Sequence, residues 1–357
     1  MDFTFADLFA GIGGFHKALH NHGGKCVFAA EKDKFARETY KTNYLNIAPT
    51  VFENNEELFI EDVTKIDGIV KIPHIDLIAA GFPCQPFSQA GLKKGFADTR
   101  GTLFHSIIEL AKRKIKEGDP VEVLLLENVK GLAGHCGGET IRTIIKSIES
   151  IGYHFAIDPD DRYKSNPKKF KVLNAKNFGL PQNRERVFLV AYRNKDAQFT
   201  FPDGSKSPTK VGEILFDQLS EEDLETFTIS NKLWSGHKRR KREHRQKGNG
   251  FGYSLFDRNS EYTSTISARY YKDGSEILID QTDIGIENPR KLHPKEAAAL
   301  QGFIKNKDWN SFKIPVSNTQ AYKQFGNSVA VPVIDAIVNN IVGQILTSET
   351  NKLKKTA

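Results

Sequence analysis

Residues 4–19 read TFADLFAGIGGFHKAL, a short β-type run that passes through a glycine-rich turn into a helical pattern. The same alternation of apolar, strand-like runs and helical segments continues through the first 195 residues. Such alternation predicts an α/β fold whose sheet is mostly parallel and is covered by helices on both faces. The predicted strands are Thr4–Phe9, Lys25–Ala30, Ile75–Ala80, Val121–Leu126 and Val187–Tyr192, and the first predicted helices are 14–19 and 33–44.

The pattern of the sequence changes after residue 195. Helical periodicity fades, and short β-type runs such as 263–266 and 276–279 lie among Gly, Ser, Thr and Asp residues. Helical character with a long apolar face returns at 319–346. We therefore predict a large first domain at 1–195, a smaller, irregular, β-rich domain at 196–315, and a final segment at 316–357 that returns to the first domain.

The composition is that of an ordinary globular chain, with 39% hydrophobic and 27% charged residues. The N-terminus enters a strand at once without a basic leader, and we see no apolar run as long as a membrane span. We therefore expect neither a signal peptide nor a membrane segment. Cys26, Cys84 and Cys136 are widely spaced, which argues against a metal cluster or a disulfide framework and fits a reducing cytoplasm.

The net charge of +7 favours a polyanionic partner. Its densest part is the basic run 237–247, HKRRKREHRQK, which is followed directly by residues 248–253, GNGFGY. A basic run is often only a solvated surface. However, mobile backbone beside Lys and Arg can enter a nucleic-acid groove while the cations neutralise phosphates. These residues therefore favour a nucleic acid as the partner.

The glycine turn at residues 11–14 lies where parallel α/β sheets bind ligands, at the carboxyl end of the first strand. The dinucleotide fingerprint fails there, because His16 occupies the position of its third glycine. Glu31 ends the second strand about 20 residues after the first glycine, where a carboxylate typically accepts hydrogen bonds from ribose hydroxyls. Asp62 could similarly accept from an adenine amino group. Together these residues indicate an adenosine-containing cofactor, without specifying NAD.

Cys84 lies within residues 81–88, GFPCQPFS, just after a predicted strand. The two prolines predict a stiff, non-helical turn, so this thiol is a candidate nucleophile. Glu127 ends another strand at the same sheet edge, where we expect an apolar pocket to raise the pKa of its carboxyl and let it carry a proton. Arg184 and Arg186 stand at alternate positions and could clamp one planar polar group. Taken singly, each group also fits a structural role, so the inference depends on their order in one chain.

In that order, the motifs resemble those of the DNA cytosine-C5 methyltransferases of bacterial restriction–modification systems, over nearly the whole chain. The matching segments are the S-adenosylmethionine loop at 9–14, the nucleophile motif at 83–85, the end of the mobile catalytic loop at 98–101, the proton-donor motif at 127–129, the arginine motif at 182–186, the border of the recognition domain at 290–296 and the closing motif at 324–329. The resemblance implies a Rossmann-like catalytic and cofactor-binding domain at 1–195, a target-recognition domain at 196–315, and S-adenosylmethionine as the cofactor.

The resemblance also implies a mechanism. Cys84 would add to C6 of a cytosine flipped out of duplex DNA, so that C5 can attack the methyl group. Glu127 would hydrogen-bond N3 and the exocyclic amine, Arg186 would hold O2, and Arg184 would help to orient the thiol and the ring. By the same resemblance Gln85 joins the catalytic group, and cofactor contacts are expected from Phe9, Ala10, Gly11, Ile12, Gly13, Gly14, Glu31, Asp62, Val63, Pro83, Leu103, Asn327 and Ser328.

Residues 248–253 and 263–279 are similar to blocks of enzymes that methylate CCWGG or CCNGG sites, so the inner cytosine of such a site is the expected target. DNA contacts are expected from Ser88, Arg239, Arg240, Asn249, Tyr253, Thr265 and Arg269, since arginine is the usual bidentate reader of guanine. The expected partners are double-stranded DNA and, functionally, a restriction endonuclease. We expect a monomer acting on DNA near the bacterial nucleoid.

Other interpretations remain open on the sequence alone. One is a methyltransferase of similar motif order that acts on a tRNA cytosine, although the basic insertion favours duplex DNA. Another is a catalytically silent DNA-binding protein of the same fold, which the presence of Cys84, Glu127 and both arginines disfavours. A NAD-dependent oxidoreductase is disfavoured by the failed glycine fingerprint.

Overall fold

The computed structural model of the chain describes residues 2–53, 58–68, 71–83, 103–155, 157, 168–217 and 219–347. These residues form two compact units. The first unit comprises the chain up to Leu173, Glu185–Gly204 and the chain from Val333 onwards. The second unit comprises Asn174–Arg184 and Ser205–Pro332.

The first unit is built on a mixed sheet. Across the sheet the strand order is β3-β2-β1-β4-β5-β8-β6, with β7 beside β8. The strands are β1 (Phe3–Leu8), β2 (Gly24–Ala30), β3 (Phe59–Ile60), β4 (Leu77–Gly81), β5 (Val123–Val129), β6 (His154–Phe155), β7 (Lys171–Asn174) and β8 (Glu185–Tyr192). Neighbours from β3 to β5 are parallel, whereas β8 is antiparallel to β5 and β6. The predicted α/β fold is confirmed, and each predicted strand overlaps an observed one.

Helices of the first unit cover this sheet. α1 (Gly14–Asn21) follows Gly13, whose left-handed backbone turns the chain from β1 into the helix. α2 (Lys34–Tyr44) begins after Asp33, whose carboxylate accepts two backbone N–H bonds of the first turn. α3 (Leu103–Lys116) and α4 (Glu139–Glu149) bury Ile107 and Ile144 in the same core cluster as Leu124 of β5. The sheet and these helices therefore share a packed core, which fixes the positions of the strand ends.

The carboxyl ends of β1, β2, β4 and β5 meet at one edge of the sheet, because these strands are parallel neighbours. Residues 9–14, called the glycine loop from here on, follow β1, and Glu31 follows β2. Residues 81–83 lie at and beyond the end of β4. Glu127 lies near the end of β5. Parallel α/β sheets bind their ligands at this edge.

The second unit is mainly helical and irregular in its described residues. Its helices are α5 (Glu221–Phe227), α6 (Asn231–Gln246), α7 (Pro294–Leu300) and α8 (Asn318–Asn327). Its small ladder joins β9 (Leu255–Phe256) to β10 (Leu278–Ile279). The predicted β-rich character was therefore wrong for this part of the chain.

The error has a local cause. The basic run 237–247 lies mostly on α6, because Lys and Arg are good helix formers and Ser230 caps the helix start. Residues 263–266 form no strand, although their composition is typical of one. Their backbone bonds instead to Pro181 and Gln182, as in the N–H of Thr263 bonding to the Pro181 carbonyl at 2.8 Å.

The unit boundaries also differ from those predicted. Asn174–Arg184 and α8 belong to the second unit, whereas the sequence placed them in the first domain and in the returning segment. The hydrogen bonds explain this placement, because Gln182 bonds to Leu300 and Ile266, and Gln301 bonds to the carbonyl of Phe325. Such contacts join residues far apart in sequence, so local texture does not reveal them. The return to the first unit begins at Val333, within α9 (Val331–Ile341).

One apolar stretch is longer than the sequence analysis allowed. By length and composition, Asn318–Leu346 would suffice for a membrane-crossing helix, with a mean hydropathy of 1.7 in its best window. The structure interrupts this stretch at residues 328–330, between α8 and α9. Burial of 56% of that window is typical of the core helices of a folded protein.

Candidate active site

The glycine loop after β1 has an unusual backbone. Phe9, Gly11 and Gly13 all have positive φ, at 56°, 56° and 80°. Glycine adopts this conformation at little cost, whereas at Phe9 it stores strain on the order of 1–3 kcal/mol. The N–H of Ala10 donates to the Ala30 carbonyl at 3.0 Å, which ties the loop to the end of β2. The loop is thus a fixed structure at the ligand-binding edge of the sheet.

Glu31 holds the other side of this loop. Its Oε2 accepts from the N–H of Gly11 at 2.8 Å, and its Oε1 accepts from the N–H of Asp33 at 2.7 Å. Burial raises the pKa of Glu31, although these backbone donors oppose the shift. The sequence analysis predicted a carboxylate at the end of the second strand, and the structure adds its hydrogen bond to the N–H of Gly11. Its expected role as an acceptor for ribose remains a prediction.

Asp62 and Val63 follow β3, next to the end of β2. The N–H of Glu31 donates to the Ile60 carbonyl at 3.0 Å, which keeps the two strand ends together. Asp62 Oδ1 accepts from the backbone and hydroxyl of Thr64, and these bonds lower the pKa of Asp62. Val63 is buried in the core of the unit. Asp62 therefore shapes its own turn, and its contact with an adenine amino group remains a prediction.

Glu127 and Arg186 form an ion pair at the end of β5. Arg186 lies opposite Val129 in the antiparallel ladder, so its side chain shares a face with that of Glu127. Arg186 Nε lies 3.2 Å from Glu127 Oε1, and the side chains are only 17% and 11% exposed. Burial lowers the pKa of Arg186, while the Glu127 carboxylate opposes that shift. The sequence pattern predicted an apolar pocket around Glu127, whereas the structure adds the guanidinium of Arg186 as its partner.

The chain that leads to Cys84 lies beside this pair. Gly81 of β4 is the register partner of Glu127, and a Cβ at position 81 would lie 3.6 Å from Glu127 Oε2. The buried amide of Asn128 donates to the Phe82 carbonyl at 2.8 Å, which fixes the end of β4 to β5. Pro83 follows as an exposed residue. The predicted catalytic or DNA-contacting residues Cys84, Gln85 and Ser88 lie outside the described residues.

Arg184 has a different environment from Arg186. It precedes β8 and is 2% exposed. Its guanidinium donates to the carbonyls of Ile266 at 3.1 Å, Gly326 at 3.1 Å and Ser328 at 2.5 Å. Arg184 and Arg186 thus have different partners in the described structure, and a clamp of both on one polar group remains a prediction. Arg184 organises backbone of the second unit. It precedes Glu185, the first residue of β8, and therefore lies outside the sheet.

Gln182 acts in the same way, and the site predictions missed it. Its Nε2 donates to the Leu300 carbonyl at 3.0 Å, and its Oε1 accepts from the N–H of Ile266 at 3.1 Å. Thr265 donates its hydroxyl to the Asn183 carbonyl at 2.6 Å. Residues 182–184 thus anchor the Thr265–Ile266 pair. Membership of Gln182 in the arginine motif was the available sequence signal.

The closing motif is shaped by a close backbone approach. A Cβ at Gly326 would lie 2.2 Å from the backbone of Ser267, so only glycine fits there. Asn327 ends α8 with its side chain exposed, and Ser328 follows it. In the first unit, Ile12 and Gly14 are buried in the glycine loop and Leu103 begins α3. Cofactor contacts by these residues remain predictions.

The basic helix α6 presents its cations differently. Arg239 has a 68% exposed side chain, and its Nε lies 3.6 Å from Glu243 Oε1. Arg240 is partly engaged, since its Nη2 lies 3.3 Å from Asp273 Oδ2 and 2.8 Å from His237 Nδ1. Of these two predicted DNA contacts, Arg239 is therefore the more available.

The aromatic residues after α6 also differ. Tyr253 packs against Trp234, with ring centroids 4.6 Å apart, and the ammonium of Lys241 lies 4.1 Å from its ring centroid. Phe251 is 72% exposed, and the sequence analysis did not single it out. Asn249 and Arg269 are exposed as predicted contacts require. Within the described ranges, no group of three or more His, Cys, Asp or Glu residues could hold a metal ion.

The fold and the site define an α/β enzyme of the Rossmann-like methyltransferase class, with a glycine loop and a largely buried acid–guanidinium pair at one sheet edge. The profile of the family described as C-5 cytosine-specific DNA methylase matches residues 3–343. The chain therefore belongs to this family and is a DNA cytosine-C5 methyltransferase.

Individual relatives agree with this placement. The chain is 48% identical to the type II methyltransferase M.NlaX of Neisseria lactamica, over 95% of this chain and 96% of the relative. It is 46% identical to M.SsoII of Shigella sonnei, over 96% and 81% of the two chains. The solved structure of the Dnmt2 methyltransferase of S. pombe matches with a TM-score of 0.68 and 17% identity, covering 96% and 99% of the chains. That last likeness concerns the fold alone.

Proposed function

We propose that this enzyme methylates C5 of a cytosine flipped out of a specific duplex DNA site, through a transient bond between Cys84 and C6, with S-adenosylmethionine as the donor. The observation that carries the proposal is the buried Glu127–Arg186 pair, because it lies beside the end of the strand that leads into Cys84. An acid and a guanidinium at that place suit a ring that gains charge during the reaction.

The described residues of the glycine loop fit an adenosine-type cofactor. The loop has three residues with positive φ, and a buried carboxylate, Glu31, is bonded to its backbone. The proposed cofactor contacts are residues 9–14, Glu31, Asp62, Val63, Pro83, Leu103, Asn327 and Ser328. When bound, S-adenosylmethionine supplies an electrophilic methyl group on a sulfonium.

The chain's own residues would then act on the cytosine. The Cys84 thiolate adds to C6, and the electron pair of the C5–C6 bond makes C5 nucleophilic. Glu127 donates a proton at N3, and Arg186 holds Glu127 and the O2 side of the ring. After C5 has taken the methyl group, a base removes the C5 proton. The thiolate then leaves C6 and N3 returns its proton to Glu127, which restores the aromatic ring.

The second unit would read the DNA. We assign the inner cytosine of a CCWGG or CCNGG site as the target, on the similarity of 248–253 and 263–279 to the blocks of enzymes that read those sites. Arg239 and Arg269 are exposed and suit contacts with phosphate or guanine. Relatives named as type II methyltransferases support a role in protecting DNA from a partner restriction endonuclease in the bacterial cytoplasm.

A trapping experiment tests the covalent step. A duplex with 5-fluorocytosine at the inner position of CCWGG, given S-adenosylmethionine, should form a stable adduct with the wild type, because fluorine at C5 blocks elimination of the thiol. Cys84→Ser should form none. Cys136→Ser removes another free, exposed thiol and is the matched control, which should trap fully. Trapping by Cys84→Ser would refute the role of this residue.

Bisulfite sequencing tests the target site. DNA from a host that expresses the chain should carry 5-methylcytosine at the inner cytosine of CCWGG or CCNGG, and only there. Methylation elsewhere would refute the assigned site while leaving the chemistry intact. Incorporation of labelled methyl groups into tRNA, and not DNA, would refute duplex DNA as the substrate.

A further inference from the structure

Two aromatic side chains beneath the glycine loop have no part in the chemistry above. Tyr44, the last residue of α2, donates its hydroxyl to the carbonyl of Gly13 at 2.7 Å. His16 lies on α1 with its ring stacked on that of Tyr44, the centroids being 4.0 Å apart and the planes 20° apart. Both residues are buried. Tyr44 therefore joins the end of α2 to the loop, although the two residues are 31 positions apart in sequence.

The fit between Tyr44 and Gly13 is close. A Cβ at position 13 would lie 2.2 Å from Cε2 of Tyr44 and 2.9 Å from its hydroxyl oxygen. Gly13 also has a φ of 80°, which disfavours any other residue. The glycine is thus required both for its backbone conformation and for the approach of the tyrosine ring. The position and shape of this part of the loop depend on that ring.

His16 gives the ring a fixed partner. Its Nδ1 is 2.7 Å from the Tyr40 hydroxyl, and its ring meets Phe5 of β1 edge-on at 5.3 Å. Burial lowers the pKa of His16 to about 3, so the imidazole is neutral at physiological pH. This is the residue that replaces the third glycine of the dinucleotide fingerprint. Its imidazole fills the space between α1, α2 and β1, and it supports Tyr44 from the side of α1.

We propose that Tyr44, supported by His16, is a positioning residue that holds the glycine loop in the conformation that binds S-adenosylmethionine. The inference rests on the proposed function, since it assigns the cofactor to this loop. Tyr44 acts through the Gly13 carbonyl and not on the reacting atoms. Its loss should therefore weaken cofactor binding and leave DNA binding and the rate at saturating cofactor unchanged.

Tyr44→Phe is the decisive variant. It keeps the ring and removes only the hydroxyl, and the Gly13 carbonyl keeps the N–H of Lys17 as a donor at 2.9 Å, so no buried acceptor is left unpaired. From the net value of one hydrogen bond, we expect the dissociation constant of S-adenosylhomocysteine, measured by calorimetry, to rise about three- to tenfold. KM for S-adenosylmethionine should rise in step, with kcat and the dissociation constant for DNA within about twofold of wild type.

Tyr153→Phe is the matched control. Tyr153 is equally buried in the same unit and donates its hydroxyl to the Val121 carbonyl at 2.6 Å, a bond of the same kind away from the loop. Loss of the Tyr153 hydroxyl should lower the free energy of unfolding about as much as loss of the Tyr44 hydroxyl does. It should not change the affinity for S-adenosylhomocysteine. Wild-type affinity in Tyr44→Phe, or an equal loss in both variants, would overturn the proposal.

Variants of His16 test its share. His16→Leu removes the aromatic face and should weaken S-adenosylhomocysteine binding, whereas His16→Phe keeps a stacking ring and should restore it. Wild-type affinity in His16→Leu would contradict the supporting role. If the wild type itself bound no S-adenosylhomocysteine, the proposed cofactor would fail, and this inference with it. Loss of affinity in the variants alone leaves the proposed function intact.

Discussion

Replacement of Arg184 by lysine tests how strongly the second unit depends on one buried guanidinium. The Nη1 and Nη2 atoms of Arg184 reach three carbonyls, those of Ile266, Gly326 and Ser328. A lysine carries its donors on a single nitrogen, so it cannot occupy both positions and should lose one or two of the three bonds. Each hydrogen bond from a charged donor contributes about 1.5–3 kcal/mol. We therefore expect Arg184→Lys to reduce the free energy of unfolding by about 1.5–6 kcal/mol.

Tryptophan fluorescence is a suitable assay, because the two tryptophans of the chain, Trp234 and Trp309, both lie in the second unit. In a urea titration, the expected loss corresponds to a lower midpoint by about 1 M or more. Arg269→Lys is the control, since Arg269 is exposed and its replacement should change stability by less than about 0.5 kcal/mol. A midpoint for Arg184→Lys equal to that of the control would refute the organising role assigned to Arg184.

Three further predictions concern the site and its surroundings. Glu127→Gln keeps the shape but cannot deliver the proton, so its single-turnover methylation rate should fall about 100-fold or more; a wild-type rate would exclude Glu127 as the acid. The free energy of unfolding, measured as a function of pH, should show the shifted ionisation of His16. Its pKa of about 3 in the folded protein lies below the value of 6.5 that it has in the unfolded chain. The unfolded state then binds the extra proton, so from pH 6.5 to 4.5 the wild type should lose about 2 kcal/mol more stability than His16→Gln. Burial raises the pKa of neighbouring Asp7, which acts in the opposite direction, but it does so in both proteins; equal pH slopes would show that His16 is protonated in the fold. Exchange of residues 205–332 for the corresponding unit of another such methyltransferase should change the site found by bisulfite sequencing, and an unchanged site would contradict its role in recognition.

The sequence predicted the first unit because its signals are local. Alternation of apolar runs and helices is legible in short windows, as is the turn at residues 11–14, and these fix the strands and the sheet edge where ligands bind. The position of Glu31 at the end of the second strand was also predicted, whereas its hydrogen bond to the N–H of Gly11 is a feature that the structure adds. The order of motifs was enough to predict the class of enzyme.

Other features depend on contacts that no short window contains. No local pattern indicates the direction of β8, and its antiparallel pairing with β5 is what brings Arg186 to Glu127. Arg184 and Arg186 look equivalent in sequence, yet they belong to different units because the chain crosses from one unit to the other between them.

Read alone, the chain therefore determined the strands, the glycine turn, the candidate nucleophile and the family. The packing of distant segments sets which carbonyls Arg184 satisfies, that Tyr44 bonds to Gly13 and stacks on His16, and that Tyr253 is packed while Phe251 is exposed. The two kinds of feature differ because they depend on interactions over different sequence distances. Backbone preference and hydrophobic periodicity act over a few residues, whereas the partner of a buried polar or aromatic group is set by whichever distant segment the packed core brings beside it.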